Sequence, residues 1–128
     1  MRRAVLLSCL LLLRLSTVSQ AQCPGLTTPL MPFATETLVL TGNTVRSLTS
    51  SIYKPAGVTP SLAMVTVEGG DLRYDVVNAP TTTIGHPLHG TPPQTMTICG
   101  LDSIAAFQAL NLTTDVTLTA TYYRTKTP

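Results

Sequence analysis

The sequence predicts an all-β protein built as a single sandwich. Three observations carry this. Threonine fills about one position in five, and like valine it favours extended backbone, because branching at Cβ restricts χ1 and packs well on a pleated surface. Short β-type runs recur along the chain, each closed by a cluster of Gly, Pro or Asn. Within the clearest runs apolar and polar residues alternate with a period of two. A chain of 128 residues has one domain by default.

Residues 1–21 stand apart from that pattern. Arg2 and Arg3 precede an apolar run from Ala4 to Leu13, and small residues stand at Ser19 and Ala21. This is the order of a secretory signal: a positive start, an apolar stretch and a small-x-small cleavage site. Arg14 interrupts it. The run is shorter than the ~20 residues a membrane span needs, so no stable span is expected in the mature form. Cleavage after Ala21 would leave five cations and six acids, a formal charge of −1. The apparent basicity belongs to the leader, and the basic stripe of a nucleic-acid binder is missing.

Cys9 lies in the leader, so Cys23 and Cys99 remain as an even pair. An oxidising compartment would let them form a disulfide; two unrelated thiols is the other reading. At a separation of 76 positions, a bridge would stabilise the fold by ~4–5 kcal/mol at most in the chain-entropy picture. Residues 22–34, including "CPGLTTPLMPF", read as a Pro-rich extended arm.

The sandwich is expected over 35–128. Its runs are "TETLVL" (35–40), "TVRSLT" (44–49), "LAMVTVE" (62–68), "DLRYDV" (71–76), "TMTIC" (95–99) and "DVTLTATYYR" (115–124). Between the third and fourth, Gly69-Gly70 reads as a two-residue hairpin loop of the primed type, where φ > 0 costs glycine nothing. That register sets Val67, Val65 and Ala63 opposite Leu72, Tyr74 and Val76 on a core face. Glu68, Asp71, Arg73 and Asp75 then form a solvated charge ladder, with Arg73 offsetting the like charges. A calcium site from the three acids is the sharper alternative, but Arg73 would repel the ion. In the last run Val116, Leu118, Ala120 and Tyr122 share one face. Thr117, Thr119, Thr121 and Tyr123 share the other, an uncharged surface that reads as a candidate subunit interface. Taken as an exposed strand, it would recruit other chains unless an assembly covered it. "LDSIAAFQALN" (101–111) stays open: an Asp102 or Ser103 cap and its alanines favour a short helix, while alternation also suits a buried strand.

Catalytic signatures are missing. His86 and His89 in "GHPLHG" lie on a loop, and no third histidine or CxxC joins Cys99 to complete a zinc set. No G-x-S-x-G elbow or phosphate-cradling glycine loop occurs. A non-enzyme without cofactor or metal is expected. Asn111-Leu112-Thr113 is a glycosylation sequon, informative only in a eukaryotic secretory host.

One resemblance adds to this. "VTVEGGDLRYDVVNAPTTTIGHPL", "TMTICGLDSIAAFQAL" and "DVTLTATYYR" together resemble a group of small bacteriophage virion proteins. The matching positions are Glu68, Gly69, Gly70, Asp71, Arg73, Tyr74, Pro80, Thr81, Gly85, Pro87, Leu88, Asp102, Ile104, Phe107, Thr121, Tyr122 and Tyr123, roughly residues 60–124. The resemblance implies a jelly-roll-like β-sandwich in the virion. It would decorate the capsid or anchor a head or tail appendage, with other virion proteins as partners and a homo-oligomer, a trimer by analogy, as its state. It also implies turn and strand over 101–109. The leader and the two cysteines depart from the family's pattern. They keep open an exported β-sandwich module, periplasmic or secreted, that binds sugar or a surface partner.

Overall fold

The computed structural model describes residues 23–126; the expected leader and Gln22 lie outside the described residues. The elements are β1 (Leu30–Leu40), β2 (Arg46–Ser47), α1 (Ser50–Tyr53), β3 (Leu62–Glu68), β4 (Leu72–Asp75), β5 (His86–Leu88), β6 (Gln94–Cys99), α2 (Leu101–Ala106), β7 (Gln108–Asn111) and β8 (Val116–Thr125). They form two four-stranded sheets, β1-β8-β3-β6 and β2-β7-β4-β5, in which every pairing is antiparallel. This order is the eight-stranded double Greek key of a jelly roll, so the all-β sandwich expected from the sequence is the fold found. No helix among the described residues is long and apolar enough to cross a membrane.

Alternation builds the core. Ala63, Val65 and Val67 of β3 and Val116, Leu118, Ala120 and Tyr122 of β8 are buried on one inner face. Leu72 and Ala109 are buried on the facing sheet, with Phe107 and Ile104 between the layers. Tyr74 stacks on Phe107 with ring centroids 5.8 Å apart. Tyr122 sits between Phe33 and Tyr53, at centroid distances of 6.3 and 5.9 Å.

The Gly69-Gly70 hairpin is overturned. β3 already has β6 and β8 on its two sides, where Val67 faces Gln94 and Leu118. Leu72 faces Leu88 and Asn111 in the other sheet. The two glycines therefore carry the chain from one sheet to the other. Gly69 has φ in the left-handed region, at +94°, and Gly70 does not. Gly70 is held by close approach instead: a Cβ there would run into Thr114 Oγ1 and lie 3.1 Å from Val116 Cγ2.

Two boundaries also move. The strand begins at Leu30, inside the expected arm of 22–34. β1 is an edge strand, so Pro32 can leave its missing N–H facing away from the ladder. The register shift between Pro32 and Ala34 makes Phe33 the extra residue of a bulge. The 101–109 stretch is neither all helix nor turn and strand. Leu101–Ala106 is helical, Phe107 is extended with φ −60° and ψ 127°, and β7 starts at Gln108. The helix is not capped by Asp102 or Ser103; Gly100 holds the N-cap position and makes no side-chain cap bond.

Cys23 and Cys99 form a disulfide with Cα atoms 5.5 Å apart. Residues 23–29 thus form a strap across one end of the β1-β8-β3-β6 sheet, from the start of one edge strand to the end of the other. Pro29 O accepts a hydrogen bond from Lys126 N at 2.9 Å on the way.

Candidate functional site: a held loop and a threonine face

Two of the four charges expected to form a solvated ladder, Arg73 and Asp75, instead organise the loop between β4 and β5, residues 76–85. Arg73 donates from Nε to Thr82 O (3.0 Å) and from Nη1 to Gly85 O (2.8 Å). Asp75 Oδ1 accepts from Val77 N (2.8 Å) and Asn78 N (3.3 Å), which holds its carboxyl below the usual aspartate range. Thr81 closes a tighter ring: its N–H donates to Ile84 O, and its Oγ1 accepts from Ile84 N at 2.9 Å. Pro80 is buried, and Gly85, at φ +110°, brings its backbone so near Tyr74 that a Cβ would lie 2.9 Å from the tyrosine carbonyl oxygen. The result is a fixed loop that shows two apolar side chains to solvent, Val77 at 80% exposure and Ile84 at 58%.

Arg73→Ala is expected to loosen this loop with a smaller effect on the core, since both its bonds are to loop carbonyls. Amide exchange over 76–85 should rise while exchange in β3 and β8 stays slow. Equal loosening in both places would show that Arg73 supports the whole sandwich instead.

The second surface is the outer face of the β1-β8-β3-β6 sheet. Thr117, Thr119, Thr121 and Tyr123 point outward from β8 and are half-buried. Thr35 and Thr37 join them from β1, Thr66 from β3, and Thr95 and Thr97 from β6. Hydroxyl pairs link neighbouring strands: Thr35 with Thr121 (3.2 Å), Thr37 with Thr119 (3.4 Å) and Thr66 with Thr95 (2.9 Å). The expectation that β8 presents an exposed edge is corrected. β8 lies between β1 and β3, so its backbone is paired on both sides and only its side-chain face is open.

The histidines do not converge. His89 Nδ1 lies 3.0 Å from Asp71 Oδ1 at an exposed position, while His86 packs beside the Tyr74 ring at 5.4 Å. Among the described residues no group of three or more His, Cys, Asp or Glu is placed to hold a metal. Asn111 of the sequon is 3% exposed; its Oδ1 accepts from Asn43 N and its Nδ2 donates to Thr114 O. The side chain ties two loops together and is closed to glycosylation in the folded chain. An open cleft beside the disulfide is lined by Pro24, Leu26, Ser61, Gly100 and the bridged cysteines, and gathers no ionisable group.

Glu36 went unremarked in the sequence. It points inward from β1 and is 6% exposed. Its Oε1 accepts from Thr49 N at 2.9 Å and from the Tyr122 hydroxyl, while Oε2 has no protein partner among the described residues. Burial, and then the hydrogen bond to Glu36, push the Tyr122 phenol well above its usual range. A phenol raised in the fold stabilises it fully below its unfolded pKa of about 10, and that contribution is lost as pH climbs beyond. Thermal melts from pH 8 upward should therefore fall more steeply for the wild type than for Tyr122→Phe. Parallel alkaline slopes would refute the role given to this phenol.

Compared with known proteins, the chain stands without a match: no family model, no curated protein and no solved structure matches it.

Proposed function

We propose that this chain is a non-enzymatic structural subunit of a bacteriophage virion, decorating the capsid or anchoring a head or tail appendage. One observation carries the reading. Most of the charged and glycine residues that resemble the virion group serve architecture. Arg73 holds the 76–85 loop, Gly69, Gly70 and Gly85 permit tight backbone passages, and Asp71 reaches His89. Such a motif preserves a scaffold with a presented loop, which suits a protein that works by fitting against neighbours. The jelly roll is used in viral capsid and in lectin domains alike, so the fold alone does not choose between them. The test is mass spectrometry of purified particles from a host carrying the gene. Recovery of the chain at constant stoichiometry with capsid or tail proteins supports the reading. Its recovery only away from particles removes it.

The second reading, an exported module that binds sugar or a surface partner, is favoured by the disulfide. Cross-links of this kind persist in oxidising compartments, and the leader pattern leads there. Protein made in a bacterial host would then start at or near Gln22. Intact Met1 in the periplasmic fraction would sink the cleavage step.

A further inference from the structure

An edge strand offers unpaired N–H and C=O groups to other chains unless something blunts it. The four edges here are β1 and β6 in one sheet and β2 and β5 in the other. Three of them are blunted. β1 carries Pro32 and the bulge at Phe33 near its start, and the inward-pointing Glu36 and the packing of α1 further along. β2 has two residues. β5 has three, with Pro87 in the middle. β6 has six residues, "QTMTIC", with no proline, no charge and an unbroken register against β3. Among the described residues no backbone group bonds to its far side.

We propose that a second copy of this chain pairs with β6 along that free edge, antiparallel, about a twofold axis at Met96. The register argues for a copy over an unrelated strand. An axis at Met96 sets Thr95 opposite Thr97 of the partner subunit, and Thr97 opposite Thr95 of the partner subunit. Threonine stands opposite threonine four times within the sheet, and in three of these pairs the hydroxyls are in contact. Thr97 has no threonine opposite it within the sheet, because its neighbour on β3 is Met64; Thr117, between Val39 and Glu68, has none either. The second copy supplies the threonine it lacks. On the inner side Met96 meets Met96 of the partner subunit. Met96 is partly buried against the core, and an unbranched thioether adapts well to a seam between two cores. Neither β6 strand brings a charge to the junction, and a closed twofold contact is the commonest symmetry of identical subunits. Two four-stranded sheets become one of eight strands, and the threonine face doubles in width. The proposal does not depend on whether the assembly belongs to a virion or to an exported protein.

Light scattering of the full chain over a concentration series tests it. The wild type is expected to double its mass as concentration rises. Thr95→Lys combined with Thr97→Lys, which sets lysines face to face across the axis, is expected to hold the monomer mass with an unchanged far-ultraviolet spectrum. Met96→Cys under mild oxidation is expected to cross-link two copies, whereas Thr119→Cys, on an interior strand of the same face, is not. A wild type that stays at monomer mass at every concentration overturns the proposal. So does a dimer unaffected by the two lysines, or one cross-linked through position 119 and not through 96. If the lysine variant fails to fold, the two cysteine variants decide alone.

Discussion

Replacing Cys23 and Cys99 together with serine is expected to lower stability by about 2–4 kcal/mol. The bridge joins residues 76 apart, so it constrains the unfolded chain over most of the described sequence. Its contribution comes chiefly from that lost freedom, because β1 keeps its ladder with β8 whether or not the strap is tied. For a domain of about 100 residues the loss corresponds to a fall in Tm on the order of 10–25 °C. Denaturant unfolding of the double variant, with reduced wild type as a control, measures it. A midpoint unchanged from the oxidised wild type would mean that the bridge does not constrain the denatured ensemble.

Gly90→Ala is expected to cost about 2–3 kcal/mol or more, through overpacking against atoms that cannot move aside. A Cβ at Gly90 would lie 2.5 Å from Gly70 O, 2.8 Å from Glu68 C and 2.9 Å from Gly69 N, all of them backbone. The crossing turn cannot retreat, because Gly70 is backed by Thr114 and Val116. It is also pinned from the front: Gly69 N donates to Gly90 O at 3.2 Å, and Thr91 Oγ1 donates to Gly69 O at 2.9 Å. Gly57→Ala serves as the comparison. Its φ is +77° with nothing near the added methyl, so it reports backbone strain alone, about 1 kcal/mol. Equal melting temperatures for the two variants would show that the loop around residue 90 gives way.

Much of the layering was legible in the sequence. Alternation placed Ala63, Val65, Val67, Leu72, Tyr74 and the apolar face of β8 toward the core, and there they are found. Pairing was not legible. Two alternating runs joined by Gly-Gly look alike whether they fold as a hairpin or cross between sheets. What decides is Thr114 and Val116 packed behind Gly70, and β6 and β8 flanking β3, contacts distant in sequence. β5 was not legible because it is three residues long around Pro87, and 101–111 could not be divided because β7 follows a helix after a single extended residue. Glu36 could have been found, since period two places it inward beside Leu38 and Leu40. Its partners could not, because Thr49 and Tyr122 lie 13 and 86 residues away. The open face of β8 was read correctly as uncharged, but its place in the middle of a sheet depends on β1 and β3 lying on either side.

The strap from Cys23 to Cys99 also sets how the domain bears load. β1 is an edge strand, and tension applied through its first residue would unzip it from β8 one rung at a time. With the disulfide closed, a pull on the chain ahead of Cys23 reaches the far end of β6 as well as the start of β1. Force is then divided between two strands on opposite edges, and the whole sheet resists as one plate. Cutting the bridge changes which part yields first: the oxidised domain holds until the sheet itself gives way, while the reduced one sheds β1 and leaves the remaining strands behind.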